Sequence, residues 1–303
     1  YEKFMKDVVV KKGMFNVIKK KDKIYLEIPK AIMSRDFLIS SRVSSTSRTW
    51  QIDPGTINRD PLLITFSCDG NKVYIHFPHL RYECKEDSEM YEAYKRHSNP
   101  PIWKAFKIEV LSKDSSSCVI DATSLFLSSI AEFSPFPDLP AEVRAFVPFG
   151  GTFQSDRSRI EEFKAFEDNV LVRSHLSYEC DIRGGQNYYE YKKPLTVVAT
   201  RSIVLLPEIP ARPRIADPRV GIFPTIKIQY TNTDNKAVNV FYANRWRLEP
   251  SDEIAFKKGQ LVEPKKPIVF YIDDNFPDMW KKYIHMAVED WNLAFEKIGF
   301  KKA

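Results

Sequence analysis

An α+β fold, mostly β, follows from three features of the sequence. Short runs of alternating apolar and polar residues recur through most of the chain, and turn-forming residues separate them. Helical periodicity is confined to the last segment. These features predict an antiparallel sheet or sandwich-like N-terminal region, followed by a strand and helix that open an α/β domain. With 303 residues, 43% of them apolar, the chain can build a real core and is long enough for two domains.

The first half reads as strands and tight turns. Phe15, Val17 and Lys19 alternate, as do Ile24, Leu26 and Ile28. The lysine-rich stretch between them predicts a hairpin turn, and Pro29 ends the second strand. Residues 36–43 form a further strand. Residues 62–67 and 72–77 flank Asp69-Gly70-Asn71, a strong hairpin signal that points Val73, Ile75 and Phe77 one way and Lys72, Tyr74 and His76 the other. Residues 103–111 pair with 118–120 across a Lys-Asp-Ser turn, and Asp121 caps a short helix over 122–130. Three prolines within 133–140 predict a linker.

Farther on, Val170, Val172, Leu176 and Tyr178 share one face of a strand, while Arg173, His175 and Ser177 take the other. The β-branched run 195–206 is long enough for a central strand. After the proline-rich crossing at Pro207, Pro210, Pro213 and Pro218 come strands over 222–230 and 237–248. The expected organisation is a β-rich domain over 1–132, a second β-rich region over 141–264, and the truncated start of another domain over 265–303. No repeat at a period of 20 to 50 residues is present, which excludes solenoids and propellers.

The final segment is the sharpest element. Residues 268–272 predict a short apolar strand. A helix then starts at Pro277, with Asp278 in the first turn, where the dipole favours an anion. Trp280, Ile284, Ala287, Trp291, Ala294 and Ile298 step by three or four into one apolar stripe. Gly299 supplies the C′ residue, and Phe300 stands where a helix-ending hydrophobic contact belongs. Burying a large side chain contributes roughly 1.5–3 kcal/mol, so a covered stripe would contribute up to about 10 kcal/mol. A helix of this size is marginal alone, so the stripe is expected to meet a sheet. The chain is therefore expected to end inside a fold.

Composition and motifs exclude several functions. The net charge of +6 is spread along the chain; its densest run, Lys19, Lys20, Lys21 and Lys23, reads as a solvated turn and not a nucleic-acid footprint. No apolar run approaches a membrane span. The opening residue Tyr1 is expected to mark a mature or trimmed N-terminus. Cys68, Cys84, Cys118 and Cys180 form no Cys-x-x-Cys pattern; four cysteines allow three full pairings, and buried free thiols are the expectation.

None of the five histidines, His76, His79, His97, His175 and His285, is followed by glutamate, so the His-Glu-x-x-His helix of a zinc protease is missing. Pro78 argues against a helix that would join His76 to His79 as ligands. His285 and Glu289 form an ordinary i, i+4 pair. Gly150-Gly151-Thr152 and Gly184-Gly185-Gln186 read as turns and not phosphate loops, and Asp273-Asp274 as caps and not a catalytic dyad. No catalytic residue, metal ligand or cofactor is assigned to this chain.

Residues 267–273 (Pro-Ile-Val-Phe-Tyr-Ile-Asp), Trp280, Tyr283, 287–292 (Ala-Val-Glu-Asp-Trp-Asn) and 294–300 (Ala-Phe-Glu-Lys-Ile-Gly-Phe) resemble the opening of a metzincin-type catalytic domain. Specifically, they resemble the large bacterial zinc-dependent metalloproteases whose N-terminal half consists of domains without an assigned function. Residues 25–29 (Tyr-Leu-Glu-Ile-Pro) and 35–43 (Arg-Asp-Phe-Leu-Ile-Ser-Ser-Arg-Val) are similar to the N-terminal strand motif of that family. So are 201–203, 217–223 and 245–249.

The resemblance implies that the chain is the N-terminal part of a secreted metalloendopeptidase and that 265–303 open its catalytic domain. The zinc motif, His-Glu-x-x-His-x-x-Gly-x-x-His, would lie downstream. It further implies zinc in the parent protein, a protein or peptide substrate, the downstream catalytic domain as partner, and export to the periplasm, cell surface or medium. The upstream region would act as a pro-region or as a scaffold. Pro218-Arg219-Val220-Gly221 echoes a cysteine switch with Val220 in place of the cysteine, which leaves Asp217, with Arg219, as a candidate latency or cleft-contact loop. An alternative is a glycan- or protein-binding surface module using Trp50, Tyr188, Tyr189 and Tyr191.

Overall fold

The structure is a computed structural model and describes residues 1–47, 52–138, 150–184, 188–231 and 237–303. The chain divides into two compact units, Tyr1–Pro210 and Ala211–Ala303.

The first unit is built on one antiparallel sheet of eleven strands, nearly closed into a barrel. In chain order the strands are β1 (Val9–Lys11), β2 (Asn16–Lys20), β3 (Lys23–Pro29), β4 (Phe37–Thr46), β5 (Leu62–Asp69) and β6 (Lys72–His76). After the short β7 (Tyr82–Cys84) and helix α1 (Tyr91–His97) come β8 (Ile102–Leu111), β9 (Ser117–Asp121), helix α2 (Thr123–Phe126), β10 (Gly151–Ala165), β11 (Asn169–Gly184) and β12 (Tyr188–Leu205). The spatial order is β1-β2-β3-β9-β8-β6-β5-β4-β12-β11-β10. The expected mostly β, antiparallel class is what forms, and its sandwich-like aspect takes the shape of a single sheet curled on itself.

The hairpins form where turn chemistry places them. Lys21 adopts φ 55° and Gly70 φ 57° in the two-residue turns that join β2 to β3 and β5 to β6. The alternating residues Val17, Ile24, Leu26, Ile28, Val73 and Ile75 are fully buried and meet in the barrel's main core. Side chains fill the interior, so the barrel is a packed core and not a lumen. Where the sheet ends approach, Met14 N–H donates to the Phe166 carbonyl at 2.7 Å. Gly13 permits this approach: a Cβ there would run into the Phe166 carbonyl oxygen and lie 2.7 Å from the Phe166 nitrogen.

The outer face of β2, β3 and β9 is also covered. Ile18, Tyr25 and Val119 pack against Tyr1, Phe4, Met5 and Val8 of the N-terminal segment. Glu27 is buried on this face; Tyr1 Oη donates to its Oε1 at 2.9 Å and Asn16 Nδ2 to its Oε2 at 2.8 Å. Burial and the bond to Glu27 push the Tyr1 phenol up to about 12.

The division expected around 133–140 falls inside this unit. Phe133 and Phe136, on either side of Pro135, are buried, and β12 pairs with β4 from Val197↔Thr46 to Leu205↔Phe37. The strands placed in separate regions by the sequence thus share one sheet. Backbone pairing over nine positions outweighs the prolines, which here turn the chain without ending its core. Residues 139–149 lie outside the described residues. Gly151, expected in a turn, opens β10, where a Cβ would meet Cys180 Sγ at 2.7 Å. Helix α2 stops at Phe126, short of the expected 130, and Asp121 holds its start by accepting from the Thr123 N–H at 3.1 Å and hydroxyl at 2.6 Å.

The second unit holds the antiparallel hairpin β13 (Pro224–Tyr230) and β14 (Ala237–Ala243), then α3 (Glu253–Lys257), α4 (Asp278–Glu289) and α5 (Asn292–Glu296). Among the described residues, no helix is long and apolar enough to cross a membrane.

Candidate functional site

The C-terminal helices are locally well specified. Pro277 precedes α4 and Asp278 stands in its first turn. At the far end Gly299 takes φ +96° and donates to Glu296 O at 3.0 Å, while Phe300 N–H reaches back to Phe295 O at 3.0 Å. Those two bonds define a Schellman ending. Helix α3 closes the same way: Gly259 donates to Phe256 O and Gln260 to Ala255 O. Asp252 caps its start by accepting from Ile254 and Ala255 N–H, each at 2.9 Å. Phe256 and Phe300 pack with ring centroids 5.0 Å apart. Val262 locks the turn, accepting from Lys301 N–H at 2.9 Å and donating to Gly299 O at 3.1 Å.

The stripe these helices carry is not buried as expected. Of Trp280, Ile284, Ala287, Trp291, Ala294 and Ile298, Ile284 alone is as much as half-buried; Trp291 is 66% exposed. The strand expected at 268–272 does not form: among the described residues this segment has no ladder partner, and Tyr271 is 93% exposed. Its sequence is strand-like, but a strand requires a neighbour to take its N–H and C=O groups.

Between the two runs lies a groove of about 630 Å³. Trp246, Ile268 and Phe270 form one wall and Ile284, Ala287, Val288, Trp291 and Phe295 the other. Trp246 meets Phe270 edge-on at 6.0 Å. The polar rim is already paired. Glu289 Oε2 accepts from Asn292 at 2.9 Å, and both residues line the groove. The described lining offers mainly apolar contact area.

Asp217 and Arg219 share a tight turn. Arg219 donates through Nε and Nη2 to both carboxylate oxygens of Asp217, at 2.5–3.1 Å, and the Asp217 carbonyl accepts from Val220 N–H at 3.0 Å. The guanidinium holds the Asp217 carboxyl below its usual range. The carboxylate is thus engaged within its own loop.

The histidines are dispersed. His76 Nε2 meets Ser67 Oγ at 2.7 Å, His79 Nε2 meets Asn99 O at 3.0 Å, and His175 sits 3.3 Å from Glu161. Among the described residues no group of three metal-ligating side chains converges. Asp273 accepts from Asn275 N–H at 2.8 Å, a turn role as expected. Of the candidate binding aromatics, Tyr191 is exposed with Lys192 Nζ 5.3 Å above its ring, while Trp50 and the side chains of Tyr188 and Tyr189 lie outside the described residues.

Two through-space features had no signal in the sequence. Arg201 is buried in the barrel, donating to Leu125 O at 2.7 Å and Ser128 O at 2.8 Å, with Phe133 5.2 Å below its guanidinium. Burial lowers its pKa to about 10. Cys68 and Cys118, fifty residues apart, bring their sulfurs to 3.7 Å.

The family described as "Domain of unknown function (DUF5117)" matches residues 56–251, and that described as "Domain of unknown function (DUF5118)" matches residues 1–46. No curated protein matches, and no solved structure does.

Proposed function

We propose that this chain, which belongs to the DUF5117 family, is the non-catalytic N-terminal scaffold of an exported zinc-dependent metalloendopeptidase. The observation that carries the reading is the uncovered apolar face of α4 and α5 beside the unpaired segment 268–272. A contiguous apolar surface of this kind marks an interaction site. The same residues, 267–300, resemble the first strand and helix of a metzincin-type catalytic domain, in which further strands would pair with 268–272 and cover the stripe.

The barrel suits a scaffold because its interior is filled by side chains and its outer N-terminal flank is also packed. A scaffold role is favoured over latency, since the Asp217 carboxylate is held by Arg219 and would have to leave that pair to reach a metal. The zinc, with its histidine ligands and glutamate base, is assigned to the downstream region, and no residue described here is given a catalytic or metal-binding role.

The test is the reading frame downstream of the codon for Ala303 together with an assay of the chain itself. The frame should encode His-Glu-x-x-His-x-x-Gly-x-x-His within about 150 residues, the span of one domain. The purified chain should digest no protein substrate. A frame without the motif, or one tightly held zinc per chain with chelator-sensitive proteolysis, would overturn the proposal.

A further inference from the structure

We propose that Cys68 and Cys118 form a disulfide that staples β5 to β9 at one mouth of the barrel. The two strands are not neighbours; β6 and β8 lie between them in the sheet. Their contact therefore runs across the curled sheet and not along a ladder. Cys68 alternates with Ile64 and Phe66, and Cys118 with Ile120; those three neighbours all belong to the main core, so both cysteines project inward. The 3.7 Å between the sulfurs is van der Waals contact, against about 2.05 Å in a disulfide. Cys68 lies at the end of β5 beside the two-residue turn at Gly70 and Asn71, where the backbone has room to close the difference.

Accessibility gives the two thiols different parts. Cys68 is exposed and Cys118 fully buried. Burial, with the contact to Cys68, pushes the Cys118 thiol up to about 11, so Cys118 waits as a thiol. The oxidant is an external disulfide, either a small molecule or the active-site disulfide of an oxidoreductase. The Cys68 thiolate attacks one of its sulfurs, breaking that S–S bond and releasing one thiol. Cys118 then loses its proton and attacks Cys68 Sγ in the mixed disulfide, and the second thiol leaves. Two protein thiols and one external disulfide become one protein disulfide and two external thiols, with two electrons passed to the oxidant. This proposal is independent of the protease reading, because it uses only the barrel.

The experiment treats the purified chain with oxidised glutathione, blocks remaining thiols and digests with trypsin without reductant. The expected product joins peptide 60–72 to peptide 114–144 and is lighter than the two by two hydrogens, while Cys84 and Cys180 carry no cross-link to either. Oxidation should raise Tm on the order of 5 °C, because a loop of this length is closed in the unfolded chain. The rise should vanish in Cys68→Ser, an exposed substitution that leaves the core intact. Cys118→Ala should accumulate Cys68 as a stable glutathione adduct. A persistent glutathione adduct at Cys68 in the unmutated chain, a link from Cys68 to a different cysteine, or no oxidation of either thiol under conditions that oxidise Cys84 would each overturn the proposal.

Discussion

Replacing Arg201 by methionine should destabilise the barrel by about 2 kcal/mol. Arg201 is 1% exposed and, among the described residues, faces no carboxylate; its charge is answered by the carbonyls of Leu125 and Ser128 at the end of α2 and by the face of Phe133. Methionine fills similar space but leaves both carbonyls without a donor. Each orphaned buried acceptor costs about 1–3 kcal/mol, and the lost cation–π contact adds about 1–2 kcal/mol. Removing the charge works the other way. Burial lowers the pKa from 12.5 to about 10, and at about 1.4 kcal/mol per pKa unit the relief is about 3 kcal/mol. The balance is a loss of about 2 kcal/mol, which corresponds to about 4–8 °C in Tm for a unit of this size. Urea and thermal unfolding followed by circular dichroism measure it. Arg201→Lys should fall between, since one ammonium keeps the charge but lacks the planar fork that spans both carbonyls. If Arg201→Met equals or exceeds the parent in stability, the guanidinium does not hold α2, and the argument from its two carbonyl bonds is wrong.

Two further perturbations test the closure of the sheet and the acid response of the β8–β9 turn. Gly13→Ala places a methyl group against the Phe166 backbone and should cost about 1–3 kcal/mol, with faster hydrogen exchange at the Met14 amide; a change under about 0.5 kcal/mol would show that the sheet ends do not meet as described. Hydrogen bonds from Ser112 and then Ser116 lower Asp114 from 3.8 to about 2, so its contribution to stability is full above about 3.8 and is lost as pH falls through about 2. Asp114→Asn should flatten the stability profile between those values, and an unchanged acid limb in unfolding midpoints measured from pH 4 to pH 2 would refute the assignment.

Much of the barrel was legible because strands declare themselves locally. The period-2 pattern and the turn residues at Gly70 and around Lys21 placed β2, β3, β5, β6, β8 and β9 and named the residues that fill the core. The short helices α1 and α3 were not foreseen; both are brief, and α3 depends on its Asp252 cap and Gly259 ending more than on any stripe. The burial of Glu27 had no local signal, because a strand pattern reveals two faces but not that the N-terminal segment would cover the second one. The stripe of α4 and α5 was found from its period, and its Schellman ending from Gly299, yet its exposure was not.

The sequence by itself determined the mostly β class, the hairpins and the Schellman ending at Gly299, because each depends on residues a few positions apart, whereas the single helix expected after Pro277 is broken at Asp290 and Trp291 into α4 and α5. Only the tertiary structure decided that β12 joins β4, that the prolines of 133–137 lie within one unit, and that Arg201 answers the end of α2. It likewise decided that Cys68 meets Cys118 and that segment 268–272 has no ladder partner among the described residues. Strand order and contact across the curled sheet join residues fifty to more than a hundred and fifty positions apart. Such pairings depend on which surfaces bury the most together, and that is a property of the assembled fold and not of any local run of residues.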